Sequence, residues 1–123
     1  MARIELGEIQ EQFAELIWDN EPIPSGDLAK LCETRFGWEK STTYTVLKKL
    51  IEKGVVENQQ GIVRALISRE GFHAQQCDTV IQSSFGGSLP AFVSAFVRSK
   101  QISETEAKEI RSLIDDYLKK NAD

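Results

Sequence analysis

The sequence predicts a mainly α-helical chain: three helices and a two-stranded β-hairpin, followed by three further helices. Three observations lead there. Apolar residues recur at i, i+3, i+4 and i+7 in separate stretches, the spacing of one helix face. Only between Val55 and Ile67 does the pattern turn to β-branched runs on either side of a glycine. Proline, glycine and hydroxyl residues punctuate the stretches where helices start or stop.

A first helix is predicted from about Glu8 to Asp19, marked by Ile9, Phe13, Leu16 and Ile17, with Trp18 at its end. Glu21-Pro22-Ile23-Pro24 breaks it, because proline lacks the amide hydrogen and restricts the residue before it. Ser25 suits the N-cap of a second helix, with Asp27 near the positive end. Leu28, Leu31, Cys32 and Phe36 form its buried stripe, and Gly37 closes it. The third helix spans Lys40 to Lys53 and turns Thr43, Val46, Leu47, Leu50 and Ile51 to one side. Gly54 supplies its left-handed stop. Val55 to Gln59 and Ile62 to Ile67 then form a hairpin about Gln60-Gly61. Three helices followed by such a hairpin make a winged helix, in which the third helix reads the DNA major groove and the hairpin is the wing.

The outward face of that third helix carries short hydroxyls, a phenol and ammonium groups. Ser41, Thr42 and Thr45 share one face, with Tyr44 at its margin, and suit base edges. Lys40, Lys48 and Lys49, with Arg64 on the wing, suit phosphates. The plainer reading is an amphipathic surface helix whose lysines only keep it solvated.

The second half is helical again. Phe72, Val80, Ile81 and Phe85 outline a fourth helix, ended by Gly86-Gly87. Ser88 caps a fifth, with Pro90 tolerated in its first turn. Ser103-Glu104-Thr105-Glu106 is a capping box that opens a sixth. Large apolar residues crowd this region beyond what three short helices can bury among themselves. A second copy of the chain is the expected cover, through Phe85, Leu89, Phe92, Val93, Phe96, Val97, Ile110, Leu113, Ile114 and Tyr117. The competing arrangement packs this region onto the winged helix as a small subdomain. The expected domains are thus residues 1–70, a winged-helix DNA-binding domain, and 71–123, a helical dimerisation domain.

Bulk composition narrows the class. The chain has 123 residues, 41% hydrophobic and 28% charged, enough to fold and unlike a disordered tail. Its net charge of −4 speaks against indiscriminate nucleic-acid binding. Between Trp38 and Gly54, however, four lysines face two glutamates, while the acids crowd the N-terminal region. Cys32 and Cys77 lie far apart with no CxxC pair, as in a reduced, cytoplasmic protein. Neither a signal peptide nor a membrane span is expected.

These features together resemble the penicillinase-repressor family of bacterial winged-helix transcriptional regulators, over nearly the whole chain. Leu6 through Leu16-Ile17-Trp18 is similar to the family's opening helix. Trp38, Ser41-Thr42-Thr43-Tyr44-Thr45-Val46-Leu47-Lys48-Lys49-Leu50 and Glu52-Lys53-Gly54 resemble its recognition helix. Phe85-Gly86-Gly87-Ser88-Leu89-Pro90-Ala91-Phe92-Val93 resembles its dimerisation segment, and Ile102-Ser103-Glu104 follows in the same order. The resemblance implies a dimeric repressor on a palindromic operator, relieved by an inducing signal; neither a cofactor nor a metal is expected.

Three departures qualify what it implies. Family wings carry Arg directly after the turn glycine and Tyr four residues beyond; here those positions are Ile62 and Leu66, with Arg64 between. Copper-responsive members end in Cys-x-Cys motifs, whereas this chain ends Lys119-Lys120-Asn121-Ala122-Asp123. The β-lactam-responsive members are inactivated by cutting an Asn-Phe bond in the fifth helix, through a membrane sensor-protease pathway. The cleavage-equivalent pair here is Ala95-Phe96.

An enzyme is not expected. The one histidine, His73, joins no nucleophile-base-acid set. With Cys77 it could give two metal ligands on one helix, too few unless a dimer supplied four. The remaining rival is a winged-helix protein-interaction module that does not bind DNA.

Overall fold

A computed structural model describes residues 4–122. It holds nine elements: α1 Glu8–Asn20, β1 Ile23–Pro24, α2 Ser25–Phe36, α3 Lys40–Glu52, β2 Val56–Gln59, β3 Ile62–Ala65, α4 Arg69–Ser84, α5 Leu89–Ser99 and α6 Glu104–Lys120. The mainly helical class and the helix-helix-helix-hairpin order of a winged helix are as the sequence predicts. The chain divides into two compact units after Thr79, within α4.

The first unit is built around one apolar core. Phe13, Ala14, Leu16 and Ile17 of α1 meet Leu28 and Cys32 of α2, Leu47 and Leu50 of α3, and Val55, Val56 and Val63 of the hairpin. Phe13, Ile17, Leu28, Cys32, Leu50, Val55 and Val63 are wholly buried. Trp38, between α2 and α3, packs its ring 4.7 Å from Phe36 and 5.7 Å from Phe13, so the short α2–α3 link is itself pinned to the core. Gly37 ends α2 in the left-handed conformation at φ 68°, where a side chain would be strained.

Two stripe residues differ from expectation. Ile9 is 55% exposed and Ile51 38% exposed. Each lies near one end of its helix, at the rim of the core. The second helix also begins differently. Pro24, not Ser25, holds the cap position, and Ser25 is the first helical residue.

The hairpin carries a third strand that the sequence reading missed. β1 pairs antiparallel with β3, Ile23 opposite Val63 and Pro24 opposite Ile62, giving the order β1-β3-β2. Pro24 can sit there because β1 is an edge strand. At the hairpin tip Gln60 (φ 53°) and Gly61 (φ 86°) are both left-handed, as a two-residue turn between twisted strands requires. The Asn58 side chain accepts from the Gly61 amide at 2.9 Å, and the Gly61 carbonyl accepts from the Ser25 amide at 2.8 Å.

The first turns of α4 are fastened to α1. Phe72 is buried with its ring 5.6 Å from Trp18, whose indole N–H donates to the Ile67 carbonyl at 2.9 Å. The Arg69 guanidinium bridges Glu15, at 2.7 Å, and Asp19, and lies over the Trp18 ring. Those carboxylates hold the guanidinium above its usual range, Asp19 first. Phe72 is therefore buried against Trp18 within the first unit, although the sequence reading grouped it with the apolar residues of the second half.

In the second unit the helix starts follow the sequence closely. The Ser88 hydroxyl accepts from the Ala91 amide at 3.1 Å, with Pro90 in the first turn of α5. Ser103 and Glu106 form the reciprocal capping box, at 3.0 and 3.3 Å. Among the described residues of this unit only Ile81 is buried. No single described helix is long and apolar enough to cross a membrane.

Both cysteines are free thiols, Cys32 buried and Cys77 exposed. Burial raises the Cys32 thiol above its ordinary value, with the Thr43 hydroxyl working weakly against it. A raised thiol stabilises the fold fully below the ordinary thiol range, and that contribution is lost as pH climbs through it. A thiol reagent at neutral pH should therefore label Cys77 at once and Cys32 only on unfolding. Denaturant titrations should show stability falling at alkaline pH, with a shallower fall in Cys32→Ala. Simultaneous labelling of both cysteines in the native protein would contradict this packing.

Candidate nucleic-acid interface

The geometry of α3 follows from what it buries. Thr43, Leu47 and Leu50 are 0–2% exposed, and Val46 is half-buried beside them. Helical period then turns Lys40, Ser41, Thr42, Tyr44, Thr45, Lys48 and Lys49 outward, and all seven are exposed. The chain leaves α3 through a Schellman turn: the Gly54 amide bonds the Ile51 carbonyl and the Val55 amide the Leu50 carbonyl, each at 3.0 Å. Gly54 is left-handed at φ 79°.

Two of the outward hydroxyls have partners within the protein. The Thr45 hydroxyl donates to the Ser41 carbonyl at 2.9 Å, one turn back along the helix. The Tyr44 hydroxyl lies 3.4 Å from the Ser25 hydroxyl, linking α3 to the start of α2. Neither contact was foreseen from sequence. Lys53, at the C-cap, is held differently from the other lysines: its ammonium donates to the Glu5 carbonyl and to the Gln10 side chain, both at 2.7 Å.

Arg64 is exposed on β3, directly across from Glu57 of β2. It lines a shallow hollow at the hairpin tip with Gln59, Gln60 and Ile62. The sequence reading placed both glutamines at the hairpin turn but did not name them among the contact residues. A second shallow notch lies between α2 and the start of α3, lined by Gly26, Asp27, Ala29, Lys30, Glu33 and Lys40. Two carboxylates, Asp27 and Glu33, thus share this notch with Lys40. What this side of the unit offers chemically is an exposed helix face of hydroxyls and ammonium groups beside a hairpin tip with amides and one guanidinium.

The residues expected at a dimer interface fall into two groups. Phe85 and Phe92 are half-buried within their own unit, meeting edge-to-face at 5.6 Å. Leu89, Val93, Phe96 and Val97 on α5 and Ile110, Leu113, Ile114 and Tyr117 on α6 are 43–69% exposed, as is Leu118. Ala95 and Phe96, the cleavage-equivalent pair, are both exposed in the middle of α5. His73 is directed toward α1. Its ring lies 3.3 Å from Glu15, and no group of three metal-binding side chains occurs among the described residues.

Comparison with known proteins places the chain. Residues 6–116 match the penicillinase repressor family. A penicillinase repressor of Bacillus licheniformis is 19% identical over 117 residues, covering 92% of this chain and 91% of that protein. Among solved structures, a Staphylococcus aureus MarR in complex with salicylate and kanamycin aligns with 95% of this chain and 76% of its own, at 22% identity and a TM-score of 0.43. On the strength of the family match, which spans both units, this chain belongs to the penicillinase repressor family and is a transcriptional regulator rather than an enzyme.

Proposed function

We propose that the protein is a homodimeric repressor that binds a palindromic operator by laying helix 40–53 in the major groove. The observation that carries this reading is the two-sidedness of α3. Its apolar side is locked in the core, while Ser41, Thr42, Thr45, Lys48 and Lys49 stand in solvent on a rod of groove-compatible width. Ser41, Thr42 and Thr45 are assigned to base edges, with Tyr44 at the margin. Lys40, Lys48 and Lys49, with Arg64 on the wing, are assigned to phosphates. Residues 1–70 serve as the DNA-binding domain and 71–123 as the dimerisation domain.

The case for a second copy rests on exposed apolar area. α5 and α6 contain no buried residue among their described positions, yet carry Leu89, Val93, Phe96, Val97, Ile110, Leu113, Ile114 and Tyr117. A surface of that kind marks an interface. The protein is assigned to the cytoplasm, where its operator lies. Relief of repression is assigned to an inducing signal that reaches the dimerisation region, with a membrane sensor-protease pathway and the Ala95-Phe96 bond as its route. That bond lies inside α5. Cutting it requires this short helix to open first.

Fluorescence anisotropy with operator DNA over a range of salt tests the phosphate assignment. Lys49→Ala should weaken binding to all sequences alike and flatten the slope of log K against log[salt] by about one unit per half-site. Identical affinities and slopes for both proteins would remove Lys49 from the interface. A flat salt response in the wild type would favour the protein-interaction module that the net charge of −4 also suits.

Selection from random DNA should recover two-fold palindromes with half-sites about 34 Å apart or a multiple of that. Single, unpaired half-sites would count against the dimer. Sedimentation at micromolar concentration gives the complementary check. Val97→Glu combined with Leu113→Glu should yield monomers, since charges cannot be buried unpaired at such a surface. An unchanged dimer mass would place the interface elsewhere.

A further inference from the structure

We propose that Thr45 reads thymine, through its γ-methyl rather than its hydroxyl. The inference rests on the reading of α3 as the groove helix and goes beyond it by assigning the base and the chemical group.

A threonine has one hydroxyl proton, and in Thr45 it is already placed. Oγ1 donates to the Ser41 carbonyl at 2.9 Å, the i to i−4 bond that helical threonines favour. With Oγ1 turned back along the helix, the methyl is the one heavy branch of the β carbon not engaged with the backbone, and the bond that fixes Oγ1 fixes the methyl's rotamer with it. Thr45 is exposed, with Ser41, Lys48 and Lys49 one turn away on the same side. The exposed residue at the middle of this face thus offers a methyl in a fixed rotamer and a hydroxyl whose proton is already committed.

The rest of α3 narrows its target. From Lys40 to Glu52 the helix contains no Arg, Asn or Gln. The guanidinium contact to guanine and the amide contact to adenine are therefore absent from this helix, and its lysines, Lys40, Lys48 and Lys49, are the ones assigned to phosphates. In the major groove thymine alone presents a methyl group, and apolar contact with it is the remaining mode of discrimination open to a fixed threonine methyl. Each operator half-site should therefore contain one thymine at which methyl meets methyl.

The test removes that methyl from either side. Operators are first selected from random duplexes with the full-length protein. Each thymine of one half-site is then replaced in turn by uracil, which differs only by the methyl. At one position the wild type should lose affinity by about threefold to fivefold, the scale of burying one methyl group. Thr45→Val keeps the methyl and should keep the discrimination. Thr45→Ser keeps the hydroxyl and should bind the thymine and uracil sites alike. Both variants alter an exposed position and should match the wild type in circular dichroism. Two results overturn the inference while leaving the groove helix intact: no thymine is sensitive to uracil, or the sensitivity persists in Thr45→Ser. Failure to select any sequence, even at low salt, would overturn the groove reading itself and this inference with it.

Discussion

The reversal at Gly54 is the constraint from which the first unit takes its form. Leu50 and Val55 flank it, joined by a backbone hydrogen bond and both wholly buried, so the chain passes from helix to strand without leaving the core. Fixing Leu50 and Leu47 inward fixes the rotation of α3 about its axis, and hence which residues meet solvent. The same turn sets the hairpin. The Leu66 amide returns to the Val55 carbonyl at 2.8 Å, and β3 then carries the chain back beside β1. Helix face and hairpin tip are positioned by one bend.

Charge on this protein is distributed by task rather than by sum. Two acids of α1 are engaged with the start of α4, where Glu15 and Asp19 hold Arg69 and Glu15 also meets His73. Lys53 is tied to the segment before α1 and to Gln10. Lys40, Lys48 and Lys49 are instead exposed on the outer side of α3. A net charge of −4 therefore coexists with a locally cationic face, and the overall sign is a poor guide to what that face meets.

How much of this was legible in the sequence depended on whether a feature was local. Periodicity gave the six helices, and short-range chemistry gave the starts at Ser88 and Ser103 and the stops at Gly37 and Gly54. β1 was invisible because a two-residue strand, one of them a proline, shows no period, and its partner lies about forty residues away. Ser25 lost its expected capping role to Pro24, whose fixed φ already suits the step into the helix. Ile9 and Ile51 obey the helical stripe but overrun the core that the stripe serves. Phe72 obeys it too, yet spacing on one helix cannot say that its neighbour is Trp18. At the interface, the choice of outward residues on α3 followed from period alone. The back-bond of Thr45 depends on a rotamer, which no spacing encodes.

The second unit places its apolar side chains in an unusual thermodynamic position. Helices as short as α5 are marginal in water by themselves, since most helical stability comes from tertiary packing. None of the described residues of α5 and α6 is fully buried within the chain, and only Phe92 is half-buried. Whatever covers them therefore adds to their stability in proportion to the logarithm of its own concentration. For a segment of this kind, being folded and being occupied are two readings of one equilibrium. If a second copy is that cover, as proposed, dilution acts on the segment as heat does, loosening first the helices that bury least of their own surface.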